Sequence, residues 1–182
     1  MKSITSTVYG GSIPVFQIDD ATRSVQGGFT LDKSNVSVGD TIGRATVIQF
    51  DEANRSAKVV KTARVVENAT ASATAYKVAK GSLFAVGGKF GGKTIASFDK
   101  TDANFDLVTV DATIGTAQKV GDVIVEDATN EFVALNYLEF KVHDGDNEVT
   151  LLQSGTVYER RTTGIGPVLG AKMPRVIRSQ SY

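Results

Sequence analysis

The chain has 182 residues, 41% hydrophobic and 22% charged, a globular composition that suits one domain or two small ones and lies far from the disordered regime. It has no cysteine, which excludes a disulfide framework, a thiolate metal site and a cysteine nucleophile. Its formal net charge of zero divides into +5 over residues 1–98, −9 over 99–148 and +4 over 149–182; the acidic middle argues against a nucleic-acid groove there, while the basic flanks can steer oppositely charged surfaces together, copies of this chain included.

Met1 to Gly11 carries one lysine and no apolar run, so no signal peptide is expected. No stretch approaches the roughly 18 apolar residues of a membrane helix, so no membrane span is expected. Residues 1–28, punctuated by Tyr9-Gly10-Gly11, Pro14 and Gly27-Gly28, read as an extended N-terminal arm with at most one or two strands. Residues 29–182 read as an all-β domain, with the small-residue stretch 68–75 as a possible internal seam between one barrel and two smaller ones.

Within that domain a strand-turn-strand pattern is written twice, 48 positions apart. Val38-Gly39-Asp40 followed by Thr46 to Asp51 is matched by Val86-Gly87-Gly88 followed by Thr94 to Asp99, and both strands close on Phe-Asp. Val120-Gly121-Asp122-Val123-Ile124 is a shorter echo. In the segment 57–66, Ala57, Val59, Ala63 and Val65 fall at even spacing and are expected to share one face. Tyr76 to Ala79, Ser82 to Val86, Leu107 to Val110 and Val123 to Val125 are further strands. From Asn136 to Val142 the alternation puts Leu138, Phe140 and Val142 in the core and Tyr137, Glu139 and Lys141 outside; Asp144-Gly145-Asp146-Asn147 then turns the chain into Val149 to Leu152. No twelve-residue stretch carries a helical stripe. Short strands with frequent turns predict an antiparallel barrel or sandwich built from repeated hairpins.

Several motifs invite chemistry. Gly87 to Thr94 satisfies the phosphate-loop pattern G-x-x-x-x-G-K-[ST], but such a loop cradles phosphates only when a helix follows it, and Ile95 to Asp99 reads as a strand. His143 is the only histidine and stands at a turn without a nucleophile elbow anywhere in the chain. Asp144 to Glu148 lacks the spacing of a calcium loop. Carboxylate pairs between residues 99 and 148 leave a small hydrolase open as a minor alternative. The sequons at Asn35, Asn54 and Asn68 carry no meaning without secretion. The C-terminal stretch Arg160 to Arg178, with Gly166-Pro167 and Met173-Pro174, reads as an extended tail: either a strand added to a partner sheet, with its arginines on acidic groups, or the last edge strand of its own domain.

Ala63-Arg64-Val65-Val66, then Tyr76-Lys77-Val78-Ala79-Lys80-Gly81-Ser82-Leu83-Phe84-Ala85-Val86-Gly87-Gly88, resembles the head-fibre and capsid-decoration (auxiliary capsid) proteins of tailed bacteriophages, notably those infecting gut Bacteroidetes. Ile95 to Asp99, Val120 to Val125 and the ending from Ser154 to Glu159 through Met173-Pro174 extend the likeness over roughly residues 58–178. The resemblance implies a non-enzymatic virion protein, without cofactor or metal, assembled in the host cytoplasm and bound in many copies to the outside of the major capsid protein shell. It also implies a homotrimer that cements capsomers, with no nucleic-acid or membrane partner. On that reading Ile4, Val8, Tyr9 and Ile13 in the arm and Arg160, Arg161, Arg175 and Arg178 in the tail are the expected capsid contacts. A carbohydrate-binding or adhesin-like β module is the alternative, with exposed Tyr9, Tyr76, Tyr137 or Tyr158 meeting sugar.

Overall fold

The computed structural model describes residues 14–17, 22–25, 28–127 and 132–179. Strands make up 44% of these and helices 8%, in sheets that curl as half-barrels, so the chain is all-β. The strands are β1 (Phe16–Gln17), β2 (Arg23–Ser24), β3 (Phe29–Leu31), β4 (Thr41–Ile42), β5 (Val47–Asp51), β6 (Ser56–Val59), β7 (Thr62–Arg64), β8 (Ala75–Ala79), β9 (Lys89–Phe90), β10 (Lys93–Asp99), β11 (Phe105–Val110), β12 (Val123–Val125), β13 (Phe132–Asn136), β14 (Phe140–Lys141), β15 (Glu148–Val149), β16 (Leu151–Tyr158) and β17 (Val176–Ser179). One short helix, α1 (Gly166–Ala171), precedes β17.

The large sheet runs β1-β16-β13-β5-β6-β3-β15, and β2 and β17 also pair with β16. Its centre is buried on both faces. Val47 and Leu135 look into one core with Val133, Leu152 and Val157, while Ile48 and Ala134 look into another with Phe29, Ile42 and Leu151. That explains the continuous apolar run of β13, since a strand covered on both sides has no solvent face to mark with polar residues. Two pairs are parallel, β3 with β6 and β16 with β17, which a pure hairpin scheme does not contain.

Between β6 and β13 the chain builds a second unit with its own core: Ala63, Val65, Tyr76, Val78, Phe84, Phe90, Ile95, Val108, Val110 and Ile124. Its sheet is β8-β11-β10-β9, and β7 pairs with β12 at its base. The stretch 68–75 lies inside this unit, where Ala69 exchanges backbone hydrogen bonds with Gln118. The expectation that Ala57, Val59, Ala63 and Val65 share one face is corrected: Ala57 and Val59 belong to the large sheet's core and Ala63 and Val65 to the second unit. The strand breaks at Val60-Lys61, where the chain crosses from one body to the other.

The crossing is held by reciprocal bonds. The Lys61 N–H donates to Glu126 Oε1 at 3.0 Å, and the Glu126 N–H donates to the Lys61 carbonyl at 2.9 Å. Lys61 is only 8% exposed. Desolvation pushes its ammonium below the ordinary lysine value of 10.5, against the attraction of Glu126 and Asp40 and with weaker repulsion from Lys58 and Lys100. Desolvation also pushes the half-buried Glu126 carboxyl above its ordinary 4.5. Between the folded pKa of Lys61 and 10.5 the unfolded chain holds more protons, so this group makes stability rise with pH there. Lys61→Met is therefore expected to fold and to gain about 1 kcal/mol at pH 7. The gain should shrink as pH approaches 10.5 in urea denaturation at the two pH values; a gain that grows with pH would contradict the desolvation account.

The two copies of the sequence pattern become the hairpins β5–β6 and β10–β11, in different sheets. In each the closing aspartate starts the turn: Asp51 Oδ1 accepts the Ala53 and Asn54 N–H groups, and Asp99 Oδ1 accepts that of Thr101. Those donors, with the Asn54 side chain foremost at Asp51, hold both carboxyls below the ordinary range. The glycine turns that precede the strands have different partners, Val142 for Gly39 and Ile95 for Gly87.

One register expectation is also corrected. Leu138 is exposed and Tyr137 packs against the core, the reverse of the alternation. The cause is Asn136, fully buried, whose Nδ2 donates to the carbonyls of Gly43 at 2.9 Å and Leu138 at 2.7 Å. Those bonds bend the chain out of the strand before β14 and leave Leu138 uncovered, while Phe140 and Val142 return to the core and Glu139 and Lys141 stay outside as the alternation expects.

Candidate functional site

The C-terminal segment joins the large sheet instead of leaving it. After β16 a 3-10 turn at Glu159–Arg161 leads to α1, opened by Gly166-Pro167, and then to β17 beside β16. Proline suits the first turn of a helix because its missing N–H has no intrahelical partner there. Glu159, 5% exposed, organises this segment. Its Oε1 accepts the N–H groups of Ile165 at 3.4 Å and Gly166 at 3.1 Å, and its Oε2 lies 3.7 Å from Arg178 Nη1. Arg178 also donates to the Gly166 carbonyl at 2.9 Å, so one buried carboxylate ties β16, α1 and β17 together.

The four tail arginines thus separate into two roles. Arg178 faces α1, and Arg161 donates to the Pro14 carbonyl at 2.6 Å while stacking on Tyr158, which ties β1's approach to the C-terminal segment. Arg160 and Arg175 lie on the surface. Ile4, Val8, Tyr9 and Ile13 lie outside the described residues. Within the arm, Phe16 is buried and β1 and β2 pair with β16, so the described parts of residues 1–28 belong to the sheet.

Around α1 the surface turns apolar. Leu169 enters the core while Val168, one position earlier, is 69% exposed. Val168 borders a hollow of about 420 Å³ lined by Ile114, Val123 and Val125 of the second unit. Lys172 borders both this hollow and a neighbouring one of about 210 Å³, where Phe132, 75% exposed, meets Pro174 and Arg175. Phe132 extends an aromatic row through Phe50 to Phe29. The result is an apolar surface edged by charge, Lys172, Asp127 and Arg175, suited to bury against a partner with Arg175 opposite an acidic group. Sequence reading singled out Arg175 here but missed Phe132 and Val168, because nothing in a strand pattern says which apolar end residue stays uncovered.

The other candidate motifs resolve into structure. Gly91 and Gly92, with φ of 59° and 77°, form the two-residue loop between β9 and β10, and a strand follows, not a helix. In the 143–147 turn, buried Asn147 donates to the carbonyls of His143 and Gly145, and the Lys33 ammonium bonds the carbonyls of Asp144 and Gly145. Among the described residues no group of three or more His, Asp or Glu side chains stands together to hold a metal ion, and no helix is long and apolar enough to cross a membrane. The expected exposure of Tyr76 is corrected: it is 1% exposed, stacked near Phe90 with its hydroxyl donating to the Ala73 carbonyl. Tyr137 and Tyr158 are half-buried, against Phe16 and under Arg161. No protein-family model, curated protein or solved structure matches the chain.

Proposed function

We propose that this protein is a structural, non-catalytic component of a bacteriophage particle, bound to the outside of the capsid as a decoration, auxiliary or head-fibre protein that cements capsomers. The observation that carries the reading is the uncovered apolar surface formed by Val168 and Phe132 with Lys172, Pro174 and Arg175 at its edges. Exposed apolar side chains rimmed by charge are what a protein–protein contact requires, and they lie partly in the segment whose sequence resembles decoration proteins. The basic stretch 149–182 complements an acidic partner surface, the major capsid protein or the acidic middle of a neighbouring copy in a homotrimer. The half-barrel sheets offer a scaffold that presents this surface at a fixed angle.

Two measurements test the reading. Quantitative mass spectrometry of purified particles from the source is expected to find on the order of hundreds of copies per particle, in a simple ratio to the shell protein, as symmetric coating requires. Absence from particles would remove the proposal. The double variant Val168→Asp, Phe132→Asp is expected to lose at least about ten-fold in occupancy while remaining folded, because burying two carboxylates without partners is costly. Undiminished occupancy would move the contact elsewhere on the molecule.

A further inference from the structure

A second cleft lies where the two units, the β4–β14 pair and the C-terminal segment meet. It encloses about 320 Å³, and its walls include Thr41, Arg44, Thr46, Lys61, Glu139 and Arg161. Lys61 reaches it from the crossing between units. Among the described residues its ammonium makes no hydrogen bond and no ion pair, and neither does the Arg44 guanidinium at the rim. The stem of Lys61 is buried along the wall while its ammonium is accessible to the cleft and bonded to no neighbour, so the charge is presented to whatever enters.

The remaining walls are chosen in the same sense. Thr41 and Thr46 bring hydroxyls, and Thr62 and Thr163, whose Oγ1 atoms lie 3.0 Å apart, line the same cleft. Arg161 contributes a third cation, already fixed in place by the Pro14 carbonyl and the Tyr158 ring. Glu139 is the one carboxylate in the lining, and it is exposed. Three cations, several hydroxyl donors and a single peripheral acid make a chamber for negative oxygen. Val15, Val60 and Leu83 close it with apolar walls that raise the strength of each charged contact.

We propose that this cleft binds a small, multiply charged oxyanion, a phosphate or a dicarboxylate, with the Lys61 ammonium as its central contact and Arg44 closing the mouth. Binding would join residues from both units and from the C-terminal segment, so the anion acts as a clip between them. The site does not depend on attachment to a capsid: it stands on the cleft's own side chains and lies apart from the Val168–Phe132 surface.

Isothermal titration calorimetry on the full chain in 150 mM-class salt, at roughly physiological ionic strength, separates the possibilities with inorganic phosphate and with succinate as probes. Saturable one-to-one binding of either is expected, and which of the two binds identifies the source of the oxyanion. Lys61→Met and Arg44→Glu should each weaken that binding at least about ten-fold, the worth of one charge-assisted contact. Glu139→Gln should strengthen it by removing the repelling carboxylate. Should Lys61→Met fail to fold by circular dichroism, the exposed Arg44 and Glu139 variants decide the matter. No saturable heat with either probe, or binding that neither Arg44→Glu nor Glu139→Gln changes, would overturn the proposal.

Discussion

Glu159→Ala is expected to lower stability by about 3–5 kcal/mol, the cost of removing one partner from a buried charged network. The carboxylate is nearly inaccessible, and the variant would leave the Ile165 and Gly166 N–H groups and the Arg178 guanidinium without their shared acceptor. Loss should appear first where those partners sit: hydrogen exchange in α1 and β17 should accelerate before that in β5 and β13. Glu159→Gln keeps an oxygen for the two N–H groups and loses only the charge opposite Arg178, so its cost should be about half as large. A loss below about 1 kcal/mol for Glu159→Ala in urea denaturation would mean that water replaces the carboxylate easily, and that the segment is not held as described.

Phe90→Ala should cost a similar amount, about 3–5 kcal/mol, for a different reason. Phe90 is fully buried and its ring contacts those of Tyr76 at 5.5 Å and Phe84 at 5.0 Å, so truncation opens a cavity in the centre of the second unit. Because that unit has its own core, protection should fall in β8, β10 and β11 while β5, β13 and β16 keep theirs. Uniform loss of protection across both bodies in native-state hydrogen exchange would show that they unfold as one.

Much of this architecture is legible in the sequence, for physical reasons that also set the limit. Alternation and closely spaced turns declare the all-β class, and the Phe50-Asp51 and Phe98-Asp99 endings announce turns because an aspartate can accept the N–H two residues on. What alternation cannot announce is where a face changes owner. Ala57 to Val65 keeps even spacing across the crossing at Val60-Lys61, and nothing in the spacing marks the change of core. Leu138 follows the pattern and is nonetheless exposed, because the buried amide of Asn136 bends the chain. The buried charges are the least visible. Lys61 and Glu159 look like ordinary solvated residues until contacts from residues distant in sequence enclose them; the only hint at Lys61 is a lysine set among Val59, Val60 and Ala63. Tyr76 misleads in the same way, since an aromatic residue that could greet a ligand is read identically when it fills a core.

The reciprocal bonds of Lys61 and Glu126 have one more consequence. The chain enters and leaves the second unit through adjacent residues, as it would enter and leave a simple loop. Turns between them that touch neither the large sheet nor the C-terminal segment can lengthen, shrink or change their surface while the doorway stays the same width. If the protein coats a shell as proposed, that doorway divides what is free to diversify from what must stay put.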